Sequence, residues 1–166
     1  MNPPPRRSSE LAEAVALAAR RDGFLDALGA LLEAAERAVA ATGAGCRGGG
    51  ACCRFDLASH RLWASTGEVA LGRVQPPTAA TRPLRCPYQQ GPRCIAHRRR
   101  PLGCRTYFCR PGPHGSAEEV YEPFHRQIRH LHARLAVPYL YMEWTSALHA
   151  LGAIAPSPGA SSEAAP

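Results

Sequence analysis

The sequence predicts a mostly α-helical fold around a loop-rich centre, with at most a short β-hairpin. Three observations point there. Apolar residues recur at helical spacing near both ends of the chain. The 15 glycines and 16 prolines fall mainly from position 43 onward, where they favour loops over regular elements. All seven cysteines lie between Cys46 and Cys109, within that same stretch. A chain of 166 residues suits one core, assigned to residues 9–152. Residues 1–8 and 153–166 are expected to be disordered, being too rich in Pro, Ser and Ala to pack.

Ser8 or Ser9 is expected to cap the first helix, with Glu10 and Glu13 placing negative charge at the positive end of its dipole. Leu11, Val15, Ala18, Leu25, Leu28, Leu32, Ala35 and Val39 then recur at helical spacing. They make one long helix or two, broken near Asp22-Gly23. Gly43 and Gly45 end this element, and Gly48 to Gly50 leave the backbone free to wrap. Beyond Cys53, the runs Arg54 to Leu57 and Arg61 to Ala64, joined at Ser59-His60, suit a short hairpin. Thr66 caps a brief helix through Leu71, and Gln75-Pro76-Pro77 opens a linker. Ser116 and Glu119 form a capping-box pattern ahead of a helix with Val120, Phe124, Ile128, Leu131 and Leu135 on one side. Pro123 comes early enough to kink that helix without breaking it, and Pro138 stops it. Tyr139 to Met142 read as extended, and Trp144 to Leu151 as a last short helix.

The formal charge is +7, and all 20 basic residues are arginine. Eight of them lie from Arg82 to Arg110, a run without a carboxylate. Such a patch suits a nucleic-acid surface. Ionising the seven thiols would cancel the whole net charge, however, and guanidinium groups lower the pKa of neighbouring thiols, so thiolate balance is the favoured reading. Glu10, Glu13, Arg20, Arg21 and Asp22 interrupt the alanine-rich stretch, so no secretory apolar segment forms. Nothing approaches the roughly 20 apolar residues of a membrane span. A cytoplasmic protein with reduced thiols is therefore expected.

The cysteines run Cys46-x5-Cys52-Cys53, Cys86-Pro87, Cys94 and Cys104-x4-Cys109. Buried structural cysteines are normally scattered singly, so this density points to a metal site. Thiolates are soft ligands that select zinc, copper(I) or iron–sulfur clusters. Three arrangements fit. One four-cysteine cluster leaves three spare thiols; a four-sulfur site can stand beside a three-sulfur site completed by His97 or substrate; or two metals share bridging thiolates. Cys86-Pro87 leans toward iron and sulfide, and only Cys104-x4-Cys109 has zinc-knuckle spacing. The loop-rich centre, residues 46–110, is thus expected to be a metal-stabilised cysteine cluster. An iron–sulfur cluster or zinc is its expected cofactor.

The pair Cys52-Cys53, then Cys86-Pro87-Tyr88, Gly91, Cys94 and Arg100-Pro101-Leu102-Gly103-Cys104-Arg105-Thr106-Tyr107-Phe108-Cys109, closely resembles the cysteine-cluster family called CxxCxxCC or YkgJ. That family is described as zinc- or iron-chelating and is often labelled Fe-S-cluster containing. The resemblance covers about positions 46 to 110. It implies a metal centre held by Cys46, Cys52, Cys53, Cys86, Cys94, Cys104 and Cys109. Gly48 to Gly50 stand where the family often has a further cysteine, and Ala96-His97 where it often has Ile-Tyr. His97 is thus a substitute ligand or a surface residue, the latter favoured. Arg100 and Arg105 match the family's arginines, and both are expected to donate hydrogen bonds to thiolate or backbone.

His125, His130 and His132 share a helix at spacings of five and two, which puts no pair at i, i+4, and solvation is expected. His60 and His114 fall in loops, and His149 in the last helix. Trp63, Trp144, Tyr139 and Tyr141 read as core rather than as a base-stacking platform. No phosphate loop, nucleophile elbow or carboxylate pair accompanies the cysteines, so no catalytic residue is assigned. A redox or modification enzyme stays open. The rival reading is a zinc-stabilised interaction module that binds nucleic acid or a protein partner through Arg98, Arg99 and Arg100.

Overall fold

The computed structural model describes residues 6–44, 49–55, 60–76, 85–107 and 117–152. The described residues are mostly helical, with two small two-stranded sheets. Helix α1 (Arg6–Arg20) and helix α2 (Phe24–Ala41) are separated at Gly23, whose φ of 69° is a left-handed conformation that glycine adopts without strain. The break near Asp22-Gly23 is therefore real. α1 starts before Ser8 and Ser9, which sit inside its first turns instead of capping it. Leu11, Ala14, Val15 and Ala18 bury one side of α1; Phe24, Leu28, Leu32 and Ala35 do the same for α2.

Strand β1 (Trp63–Ser65) pairs antiparallel with β4 (Tyr141–Glu143), Trp63 facing Glu143 and Ser65 facing Tyr141. The hairpin expected from Arg54 to Ala64 is corrected accordingly. Residues 56–59 lie outside the described residues, and the partner of the 63–65 strand comes from the far end of the chain. A local hairpin does form elsewhere, between β2 (Gln89–Gln90) and β3 (Arg93–Cys94), turning at Gly91 with φ 58°.

Helix α3 (Thr66–Arg73) is capped by Ser65, one residue earlier than expected. Ser65 Oγ accepts from Glu68 N, and Glu68 Oε2 accepts from Ser65 N and Oγ. Thr66 is spoken for: its N–H donates to Leu140 O, and its Oγ1 accepts from Leu140 N. The short helix α4 (Leu102–Thr106) follows the basic loop. Helix α5 (Ala117–Arg134) runs through Pro123 and packs along α2. Val120, Ile128 and Leu131 are buried, with Phe124 and Leu135 packed at their edge. Ser116, the expected cap of α5, lies outside the described residues. The helix ends before Pro138, where Ala136 takes φ 52° and Val137 N donates to His132 O. Helix α6 (Trp144–Ala150) is capped by Glu143, which accepts from Thr145 N and Ser146 N. Trp144 fills the space beside α3 and Tyr88. Among the described residues, no helix is long and apolar enough to cross a membrane.

Candidate metal centre

Three separate segments bring thiols to one cavity. Cys52 and Cys53 lie on a 3₁₀ turn, Ala51–Cys53, that docks on the β2–β3 hairpin. Gln89 Nε2 donates to Gly50 O at 2.9 Å, and Cys86 N donates to Cys53 O at 3.1 Å. Gly50, with φ 68°, permits this approach: a Cβ there would stand 2.8 Å from Gln89 Nε2 and 3.0 Å from Pro92 backbone. Cys94 sits in β3 opposite Gln89. Cys104 rides on α4, whose first N–H, from Leu102, donates to buried Glu68 Oε1 at 2.8 Å. The α3 cap carboxylate thereby also fixes the helix that presents Cys104.

Cys52, Cys53, Cys94 and Cys104 line a single cavity of about 270 Å³, together with Arg100. Cys86 is buried and does not line it, but stands behind Cys53. The thiols of Cys52, Cys53 and Cys86 interact with one another in turn. Interaction with the Cys53 thiol, then burial, pushes the Cys52 thiol far up. The Cys52 thiol pulls Cys53 down, but the Cys86 thiol and burial outweigh it and hold Cys53 up at about 12. Burial raises Cys94 and, further, Cys104, the latter also through the neighbouring sulfurs of Cys53 and Cys94. Without a cation in their midst these four thiols therefore stay protonated near neutral pH.

Cys46 and Cys109 lie outside the described residues. Among the described residues, no group of three or more His, Cys, Asp or Glu side chains is placed so that it could hold a metal ion. The donor set fits a soft metal in kind, because soft sulfur is what zinc and iron–sulfur clusters take. Arg100 adds an independent sign. Its Nε is buried without a hydrogen-bond partner on the wall that carries the thiols, and its charge lowers the pKa of Cys52, Cys94 and Cys104. An orphaned buried donor costs about 1–3 kcal/mol, and a thiolate beside it would accept that bond.

Arg105 donates as expected to backbone, from Nε to Arg100 O and from Nη2 to Arg98 O. A carboxylate distant in the sequence joins them. Glu36 of α2 accepts from Arg100 Nη2 at 2.8 Å and from Arg105 Nη1 at 2.5 Å. His97 is exposed and does not line the cavity, and Arg99 Nη1 reaches Gln75 Oε1 at 3.5 Å.

Several aromatic residues depart from expectation. His132 is buried rather than solvated, wedged edge-on between Phe24 and Tyr139. His125 is half-buried and bonds Tyr139 Oη at 2.6 Å, while His130 and His149 are exposed. His114 lies outside the described residues. Trp144 is core, but Trp63 and Tyr141 are 46% and 39% exposed and stack on each other beside the cysteine cavity. Trp63, at the start of β1, is exposed while Ala64 and Ser65 after it are both buried. No protein-family model matches the chain, and no curated protein or solved structure matches it either.

Proposed function

We propose that this chain is a metal-binding cysteine-cluster protein that holds an iron–sulfur cluster or zinc through its thiolates. Cys52, Cys53, Cys94 and Cys104 are the central ligands, and Cys46, Cys86 and Cys109 complete the sulfur set. The single observation that carries this reading is the meeting of four thiols from three segments in one cavity, beside the unpartnered Nε of Arg100. Arg100 donates to ligand sulfur and balances its charge; Glu36 holds Arg100 and Arg105 in place. Bound there, zinc would fix the loops, whereas an iron–sulfur cluster would add one-electron chemistry. The resemblance to the YkgJ family belongs to the same proposal, as does a reducing, cytoplasmic setting.

Purification without oxygen, a visible spectrum and an elemental analysis test it. A brown protein with iron and sulfide, or a colourless one with stoichiometric zinc, supports the reading and chooses the metal. Folded protein free of metal rejects it. The nucleic-acid alternative draws on Arg98, Arg99 and Arg100, two of which direct their side chains to Gln75 and Glu36. It requires binding to a mixed oligonucleotide pool that weakens steeply with salt.

A further inference from the structure

Among the described residues, four large apolar side chains are markedly exposed: Trp63, Val74, Tyr107 and Tyr141. Three of the four, at 46%, 48% and 39% exposure, line the cysteine cavity. Aromatic surface left in water at the rim of a cavity marks a binding site more often than chance exposure does. The rings come as two pairs. Trp63 stacks on Tyr141 with centroids 5.8 Å apart and planes 26° from parallel. His60 stacks on Tyr107 at 4.5 Å and 19°, braced edge-on by Phe55. Stacked rings of this kind extend readily to a further planar ring.

The polar groups of the lining say which ring. Among the described residues, Arg61 and Arg100 line the cavity and no carboxylate does. Arg61 is exposed, while Arg100 is half-buried beside the thiols. Tyr121 and Tyr141 add hydroxyls, joined to each other at 2.5 Å. Glu36 already balances Arg100, so a cationic ligand would meet the exposed guanidinium of Arg61; an anionic one finds there a planar donor fork suited to carboxylate or phosphate oxygens. The volume is small for a ligand site, and part of it belongs to the sulfur ligands, so only one or two fused rings fit.

We propose that the rim formed by Trp63, Tyr107, Tyr141 and Arg61 binds a small planar aromatic anion and presents it to the cysteine centre. The presentation rests on the metal reading above; the ring site itself does not. Two sources share this chemistry, an aryl carboxylate and a mononucleotide.

Ligand-observed NMR on the full chain, purified without oxygen and assayed for metal, tests the proposal. Benzoate and AMP are the two planar anions, cyclohexanecarboxylate the non-planar anion and benzylamine the planar cation. At least one planar anion should bind saturably and at least tenfold more tightly than cyclohexanecarboxylate or benzylamine. Benzoate without AMP identifies the carboxylate source, and the reverse the nucleotide. Trp63→Leu should weaken binding at least tenfold with metal content unchanged, and Arg61→Gln should abolish the preference for anions over benzylamine. Folded, metal-replete protein that binds neither planar anion, or that binds cyclohexanecarboxylate equally well, overturns the proposal and leaves the metal reading standing. Metal-free protein that still binds a planar anion does the opposite.

Discussion

Arg105 Nη1 donates to Glu36 Oε2 across 69 positions of chain, tying the helix that carries Cys104 to the middle of α2. The Arg105 side chain is nearly inaccessible, and two backbone carbonyls of the basic loop take its remaining donors. Glu36 is the anion that makes this burial tolerable, and it serves Arg100 at the same time. Glu36→Ala leaves two guanidinium groups unpaired. It is expected to cost about 1–3 kcal/mol, less than for a fully buried pair because Glu36 keeps contact with water. Urea unfolding measures it, and an unchanged midpoint would refute it.

The cysteines should rank in two tiers. Serine at Cys52, Cys53, Cys94 or Cys104 removes a thiol from the cavity wall and is expected to lower bound metal well below stoichiometry. Cys86, an outer member of the sulfur set, does not line that wall, so Cys86→Ala should retain more metal than those four and also cost about 1–2 kcal/mol in packing. Elemental analysis of the five variants reads the order directly. Equal losses at all five positions would place Cys86 among the primary ligands.

The helices were legible because hydrophobic period is local, and so was the cysteine concentration. Glu36 and Glu68 were not, since their partners stand 69 and 34 positions away and no window around the cysteines contains them. The β1–β4 pairing escaped for the same reason. Two signals were nonetheless present. Ser65-x-x-Glu68 has capping-box spacing, one residue ahead of Thr66. His132 follows Ile128 and Leu131 at i+4 and i+1, so it shares the buried stripe of α5, a relation that the spacing of the histidines among themselves does not carry. For Trp63 and Tyr141 residue type points to the core, but it says nothing about which part of a strand meets solvent.

Gly50 should resist substitution. Alanine there must adopt a φ of 68° and bring its Cβ against Gln89 Nε2 and the Pro92 backbone. We expect Gly50→Ala to cost about 1–3 kcal/mol and to loosen the turn carrying Cys52 and Cys53. Faster metal loss to a chelator would accompany the lower thermal midpoint. Wild-type behaviour in both would remove Gly50 from the architecture of the site.

Acid should weaken the fold in two steps. Burial holds the His132 pKa below its ordinary 6.5. Nδ1 donates to Val137 O, so the buried Nε2 carries the bare lone pair and has no partner. The unfolded chain takes up the proton first, so stability falls as pH drops below about 6.5 and keeps falling until the folded-state pKa is reached. The slope from this one group is at most about 1.4 kcal/mol per pH unit. Burial pushes Glu143 up, but bonds from Ser146 and Thr145 hold it below 4.5, so its contribution is lost only at lower pH. Burial also lowers the His97 pKa, so both histidines contribute between pH 7 and 5, and the difference between wild type and His132→Phe, whose profile should be flatter there, isolates His132.

Glu68 joins fold and site most directly. Its side chain is buried and accepts three donors, Ser65 N and Oγ at 2.7 Å and Leu102 N at 2.8 Å. Glu68→Gln keeps the shape but turns one acceptor oxygen into a donor amide. If the remaining oxygen serves Leu102, the amide faces the Ser65 N–H; if it serves Ser65, the amide faces Leu102. Either way one buried N–H is left unpaired, at a cost of about 1–3 kcal/mol. The choice decides the fate of α4. If Leu102 loses its partner, Cys104 moves and metal dissociation speeds up with the loss of stability; if Ser65 loses it, stability falls while metal retention stays near wild type. Comparing Glu68→Gln with Ser65→Ala, which disrupts the α3 cap and leaves Leu102 bonded, separates the two. Equal metal retention in both variants would mean that Cys104 is positioned without the Glu68–Leu102 bond.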